Sequence, residues 1–131
     1  LAVFGAPHHL ENDPERAVRC ALAMREGMQT VNAGNRRAGL PILSARIALN
    51  TGTVIAGNIG SEQRAKYGCV GHAMNVTSRM ESYTRVDEIL IADATRQKLP
   101  TGVFEFGVPR KLTAKGIDDT ILAHPVIGLR T

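Results

Sequence analysis

Between residues 43 and 50, apolar side chains occupy every second position. Leu43, Ala45, Ile47 and Leu49 alternate with Ser44, Arg46, Ala48 and Asn50. A period of two divides the side chains between the faces of a strand, so this segment is predicted as a strand with one buried face. Upstream the period is helical. Ala17, Cys20, Ala21, Met24, Met28 and Val31 form one stripe, as in a helix packed on a sheet. Asp13-Pro14-Glu15 marks its start, with Asp13 as N-cap, proline at the first helical position and an acid in the first turn. Gly34-Asn35 marks its end. Before it, Leu1 to Gly5 reads as the end of a strand already under way, followed by a loop from Pro7 to Asn12.

Thr51-Gly52-Thr53 turns the chain into a second strand, Val54 to Ile59, in which Gly57 points to a bulge or a close backbone approach. Gly60 to Arg64 is a polar loop. Tyr67 to Val70 is a third short strand, and Ala73 to about Thr84 is a second helix. The apolar side of that helix is Ala73, Val76, Thr77, Met80 and Tyr83. Its polar side is Asn75, Ser78, Arg79 and Ser82. Glu88 to Ile91 is a strand, and Asp93 caps a short helix ending before Pro100. Val103 to Phe106 and Arg110 to Ala114 are strand-like, and Lys115-Gly116 with Asp118-Asp119 makes a turn. Ile121 to Leu129 is the last strand, where Pro125 argues for an edge or a bulge. Strands joined by short turns, with two main helices, predict one α+β layered domain over residues 1–131.

Composition narrows the function classes. Hydrophobic residues make up 44% of the 131 residues and aromatics only 4%, with no Trp, so the core is built from Val, Ile, Leu, Ala and Met. No stretch approaches the ~20 apolar residues of a membrane span, and no signal peptide is visible, so no membrane contact is expected from this segment. Cys20 and Cys69 do not make a disulfide framework, which favours a reducing, cytoplasmic setting. A net charge of +4 suits a ligand carrying phosphates. The basic residues are scattered and the aromatics few, which argues against nucleic-acid binding. His8 and His9 are adjacent and diverge, and His72 and His124 stand alone, so no zinc-like spacing and no histidine metal site is expected.

The chemistry-bearing stretch is Lys66 to Glu81, K-Y-G-C-V-G-H-A-M-N-V-T-S-R-M-E. Asn75 and Arg79 stand four residues apart and project from one helix face. An amide and a guanidinium side by side at a strand–helix junction suit a nucleotide's ribose and phosphate. The spacing alone is equally that of a solvated helix face.

Two further stretches add context. One is L-A-V-F-G-A-P followed by D-P-E-R-A-V-R-C-A-L-A-M; the other is R-I-A-L-N-T-G-T-V-I-A-G-N-I-G, Arg46 to Gly60. With the Lys66–Glu81 motif and its continuation E-S-Y-T-R-V-D-E-I-L-I-A, they resemble, in order and along nearly the whole chain, the catalytic domain of class III nucleotidyl cyclases. The resemblance implies a ferredoxin-like α+β domain with a mostly antiparallel sheet, helices packed on one face, and an N-terminal strand and helices missing. It implies conversion of a nucleoside triphosphate to the 3′,5′-cyclic monophosphate and pyrophosphate in intracellular signalling. Two divalent metal ions, Mg or Mn, held by two aspartates, activate the attacking hydroxyl in that family.

By position in the resemblance, Arg79 stabilises the transition state and Asn75 orients the ribose. Lys115 contacts the β/γ-phosphates or is a solvated turn lysine, since K-G-I replaces the usual K-G-K. Gly68 and Val70 fall at substrate-binding positions. Gly68 offers no side-chain hydrogen bond to a base, so ATP is favoured over GTP only by how common that activity is. His72 replaces the usual Asp and receives no role. The family works as a dimer with sites between two domains, so a second cyclase domain, as a homodimer, is expected as partner. The two metal aspartates belong upstream of Leu1, and none of Asp13, Asp87, Asp93, Asp118 or Asp119 matches them. The isolated chain is therefore expected to hold no metal and to be inactive. The alternative is a degenerate cyclase-like module that dimerises and binds nucleotide without turnover.

Overall fold

The computed structural model describes residues 1–6, 8–61, 66–113 and 120–131. Along them run α1 (Asp13–Ala38), β1 (Ile47–Leu49), β2 (Ile55–Ile59), β3 (Lys66–Val70) and α2 (His72–Tyr83). These are followed by β4 (Ile89–Ala92), α3 (Asp93–Arg96), β5 (Phe104–Phe106), β6 (Arg110–Leu112) and β7 (Ile121–Leu129).

The four residues of β4 are all apolar and all buried. Side chains alternate along a strand, so Ile89 and Ile91 face one way and Leu90 and Ala92 the other. Ile89 and Ile91 pack with Val18 and Ala21 of α1 and with Phe104 and Val126. Leu90 and Ala92 pack with Met80 of α2 and with Leu112 and Ala123. The helices thus cover both faces of the sheet. The expected α+β class holds, but not the expectation that the helices share one face. A strand with apolar residues at every position must be covered twice.

The sheet runs β1-β4-β7-β5, with β6 also on β7. β1 is parallel to β4, and the other pairings are antiparallel, as expected for a mostly antiparallel sheet. β2 and β3 form a separate antiparallel hairpin in regular register, with Gly57 opposite Gly68. The bulge predicted at Gly57 is absent, and a Cβ there would meet nothing within 4 Å.

β7 lies inside the sheet, contrary to the edge position inferred from Pro125. Pro125 is opposite Leu90 of β4, and its carbonyl accepts from the Gly107 amide at 2.8 Å on the other side. A strand residue's N and C=O point the same way, so the missing proline N–H falls in the gap between β6, which pairs up to Ala123, and β5, which begins at Val126. The expected bulge does occur, nearby. Glu105 pairs with Gly128 and Phe106 with Val126, which leaves Ile127 extra. Arg25 of α1 donates to the carbonyls of Val126 and Ile127 at 3.2 and 2.6 Å.

Other boundaries differ for local reasons. Leu1 to Gly5 pairs with no strand among the described residues, and Leu1 and Val3 are exposed. α1 runs past Gly34-Asn35 to Ala38 and stops at Gly39, whose φ of 71° makes the left-handed cap. Asp13 is the first helical residue, not the cap. Its carboxylate is buried and accepts from the Leu10 amide at 2.9 Å, tying down the preceding loop. The side of α1 that packs is centred on Val18, Ala21 and Leu22, whereas Cys20, Met24 and Val31 of the predicted stripe are exposed. β4 begins one residue later than predicted. Asp93 opens α3 without capping it, since its oxygens go to His124 and Gln97. The turn at 115–119 lies outside the described residues.

Candidate functional site

α2 is fixed at its start by the β1–β2 turn. Gly71, between β3 and α2, has φ 149°, and a Cβ there would press on the Thr53 carbonyl at 3.4 Å. Only glycine adopts this backbone freely. The Asn50 side chain accepts from the Thr51 amide at 2.9 Å and donates to the Ala73 carbonyl at 3.2 Å. Met80 is fully buried, and Val76 packs beside it. Burying Met80 contributes about 2 kcal/mol.

With that side inward, the polar side faces out as its spacing predicted. Asn75, Ser78, Arg79 and Ser82 are exposed. Among the described residues neither the Asn75 amide nor the Arg79 guanidinium has a side-chain hydrogen-bond partner, so both are available to a ligand. Tyr83, assigned to the packed side, is also exposed, and Thr84 is buried in its place, its hydroxyl donating to the Met80 carbonyl at 2.9 Å.

Gly68 and Val70 lie on β3, the strand that leads into α2. They share one face, and the half-buried Cys69 points to the other. Val70 is 49% exposed and sits opposite Ile55, which is 75% exposed, so the hairpin presents an apolar pair to its surroundings. The structure thus puts Asn75 and Arg79 on one exposed face of α2, and Gly68 and Val70 on the strand that leads into it. Lys115 lies outside the described residues. His72 opens α2 and lines a cleft of about 390 Å³ with Asn50, Thr51, Thr53 and Asp93. Asn75 and Arg79 do not line it, so the cleft and the Asn/Arg pair are separate features.

Two side-chain pairs escaped the sequence reading because their members are far apart in the chain. His124 is 3% exposed and is bonded through Nε2 to the Asp93 carboxylate at 2.8 Å. This bond, with help from Gln97, holds the Asp93 carboxyl below its usual range. Arg110 grips Glu88 with both terminal nitrogens, at 2.7 and 2.6 Å. That fork lowers the Glu88 carboxyl and raises the Arg110 guanidinium. Ala123 and His124 are adjacent on β7 and both buried, so alternation does not single out His124, and nothing local pairs Glu88 with Arg110.

Among the described residues no three His, Cys, Asp or Glu side chains stand together as a metal site requires. The described residues alone do not fit the two-metal centre that the resemblance implies. Among the described residues no helix is long and apolar enough to cross a membrane.

Residues 1–126 match the family model for the adenylate and guanylate cyclase catalytic domain. The chain is 36% identical over 85 residues to adenylate cyclase 1 of Rhizobium meliloti, covering 65% of this chain and 13% of that protein. It is 29% identical over 116 residues to the soluble guanylate cyclase subunit beta-2 of Rattus norvegicus, covering 88% of this chain and 16% of that one. Its fold superposes on the guanylyl cyclase Cya2 with a TM-score of 0.90 at 39% identity, covering 96% of this chain and 64% of that chain. It superposes on the adenylyl cyclase CyaB of P. aeruginosa with a TM-score of 0.89 at 28% identity, covering 97% and 66%. The chain spans less than a fifth of the length of either curated relative. With the strand–glycine–helix junction and its outward Asn/Arg pair in place, the chain belongs to the adenylate and guanylate cyclase catalytic domain family.

Proposed function

We propose that these 131 residues act as one domain supplying the nucleotide-orienting and charge-stabilising half of a cyclase site, with ATP favoured over GTP as substrate. In the reaction the ribose 3′-oxygen bonds to the α-phosphorus, the bond to the β-phosphate oxygen breaks, pyrophosphate leaves, and the hydroxyl proton is lost. Asn75 orients the ribose by hydrogen bonding. Arg79, one helical turn on, meets the charge that builds on the α-phosphate oxygens. Gly68 and Val70 line the approach of the base, and Lys115 contacts the outer phosphates. Divalent ions supply activation of the hydroxyl in this family, and their ligands are not found among the described residues. In this reading the metal half of the site is supplied from outside these residues, across a contact with a second cyclase domain in a homodimer. The setting is cytoplasmic signalling.

The observation that carries this reading is the pair itself: Asn75 and Arg79 point outward from a helix whose other side is locked into the core. The test is Arg79→Ala in the full-length protein. Turnover should fall about 100-fold or more, with KM changed only a few-fold, because the contact strengthens in the transition state. Turnover near wild type overturns the assignment.

A further inference from the structure

Asn75, Arg79 and Tyr83 lie at successive turns of one face of α2. The first two have no partner among the described residues, but Tyr83 is held from two sides. Its hydroxyl donates to the Thr113 carbonyl at 2.5 Å. Its own carbonyl, at the last helical position, accepts from the Arg110 guanidinium at 3.2 Å. The same guanidinium is forked onto Glu88, which also accepts from the Arg85 amide at 3.1 Å. The side chains of Arg110 and Glu88 are 19% and 15% exposed, so the pair is largely shielded from water.

α2 has no basic residue in its last turn, and no acid in its first. Arg110, from β6, provides the cation that the carbonyl end of a helix favours. Glu88 fixes where that cation sits, and the Arg85–Glu88 turn is pinned by Asp87, whose φ of 60° is held while its amide donates to the Ala45 carbonyl at 2.9 Å. The start of α2 is set by Gly71 and Asn50, and its end is set by Arg110 and Tyr83. Arg79 lies one turn from that second anchor.

We propose that Arg110 is a positioning residue for nucleotide cyclisation: through Glu88 and the Tyr83 carbonyl it sets the lie of α2, and with it the placement of Arg79 against the reacting phosphate. The proposal rests on the reading that Asn75 and Arg79 engage nucleotide. A displacement of α2 by a fraction of an ångström affects the transition state more than ground-state binding, since the Arg79 contact tightens there.

The test compares Arg110→Met, Arg110→Lys and Arg79→Ala in the full-length protein, at a temperature where circular dichroism shows each variant folded. Arg110→Met is expected to lower kcat about tenfold or more with KM within about threefold of wild type. Arg110→Lys, which keeps the charge and one donor but not the fork, should recover part of that loss. A purely structural Arg110 lowers the melting temperature and leaves kcat per folded molecule unchanged; that result overturns the proposal. If Arg110→Met does not fold, Glu88→Gln loosens the fork that fixes the Arg110 guanidinium, and it should lower kcat several-fold at constant KM. Wild-type kcat in that variant likewise overturns the proposal. Wild-type turnover in Arg79→Ala identifies the nucleotide reading as the failure, and the role of Arg110 falls with it. Loss in Arg79→Ala with none in Arg110→Met or Glu88→Gln overturns the positioning role alone.

Discussion

Gly52 sits so close beneath the first turn of α2 that a Cβ on it would stand 2.6 Å from the Cβ of Ala73. The contact joins the β1–β2 turn to the helix that carries Asn75 and Arg79. Gly52→Ala is therefore expected to push the helix start outward, costing about 1–3 kcal/mol of stability. Chemical denaturation measures the loss. Adding Ala73→Gly opens the space again and should recover part of the stability, less about 1 kcal/mol for glycine in a helix. No loss in the single variant would show that the contact relaxes freely.

Met80 joins α2 to its face of the sheet through Leu90, Leu112 and Ala123. Met80→Ala leaves a cavity at a fully buried position, and a destabilisation of about 2–5 kcal/mol is expected. Urea unfolding of the variant checks it. A change below 1 kcal/mol would mean that α2 collapses onto the gap.

His124 has one side-chain partner among the described residues, Asp93. Asp93→Ala leaves a buried imidazole nitrogen without its acceptor, which costs about 1–3 kcal/mol. His124→Phe in the same background removes the orphaned group and should lose less than the sum of the two single changes. A double-mutant cycle with zero coupling would contradict this.

Glu88 sets an acid limit on stability. Its folded-state carboxyl lies below the usual value, chiefly through the Arg110 fork. Well above the ordinary carboxylate range both folded and unfolded states are charged, and the full contribution of the pair is present. As pH falls the unfolded state takes up its proton first, and stability declines until pH passes below the folded-state value. Melting temperature should therefore drop below about pH 4.5, and the slope should be shallower in Arg110→Met. Equal slopes would show that the pair carries no linkage.

The purified 131-residue chain is expected to make no measurable cyclic nucleotide from ATP or GTP with Mg or Mn. The expectation rests on the resemblance, in which the two metal aspartates correspond to none of these residues. Clear product formation overturns the division of the site proposed here.

Much of this was legible along the chain. The outward Asn75–Arg79 face follows from period, because a helical stripe records which side of an element meets the core. The alternation over 43–50 locates β1 only in part: the strand is Ile47–Leu49, Leu43 is 52% exposed, and Ala48 packs on the face opposite Ile47 and Leu49, so both faces are covered and not one. The inward Met80 and the outward Arg79 are two readings of one periodicity. Order along the chain, with the motifs it holds, was enough to reach the family.

Tertiary structure alone decided what covers what. Four apolar residues in a row at Ile89–Ala92 imply two covered faces, but not that α1 takes one and α2 the other. Pro125 looked like an edge residue, and only the positions of β5 and β6 leave its missing donor a gap inside the sheet. On α1, Val18 and not Met24 is buried, because Val18 is the residue that meets Ile89, Ile91, Phe104 and Val126. The Arg110–Glu88 and His124–Asp93 pairs join residues 22 and 31 positions apart, and no local rule links them. Periodicity acts through neighbours in the chain. Charge pairing and capping at α2 act through space, after the fold has brought the partners together.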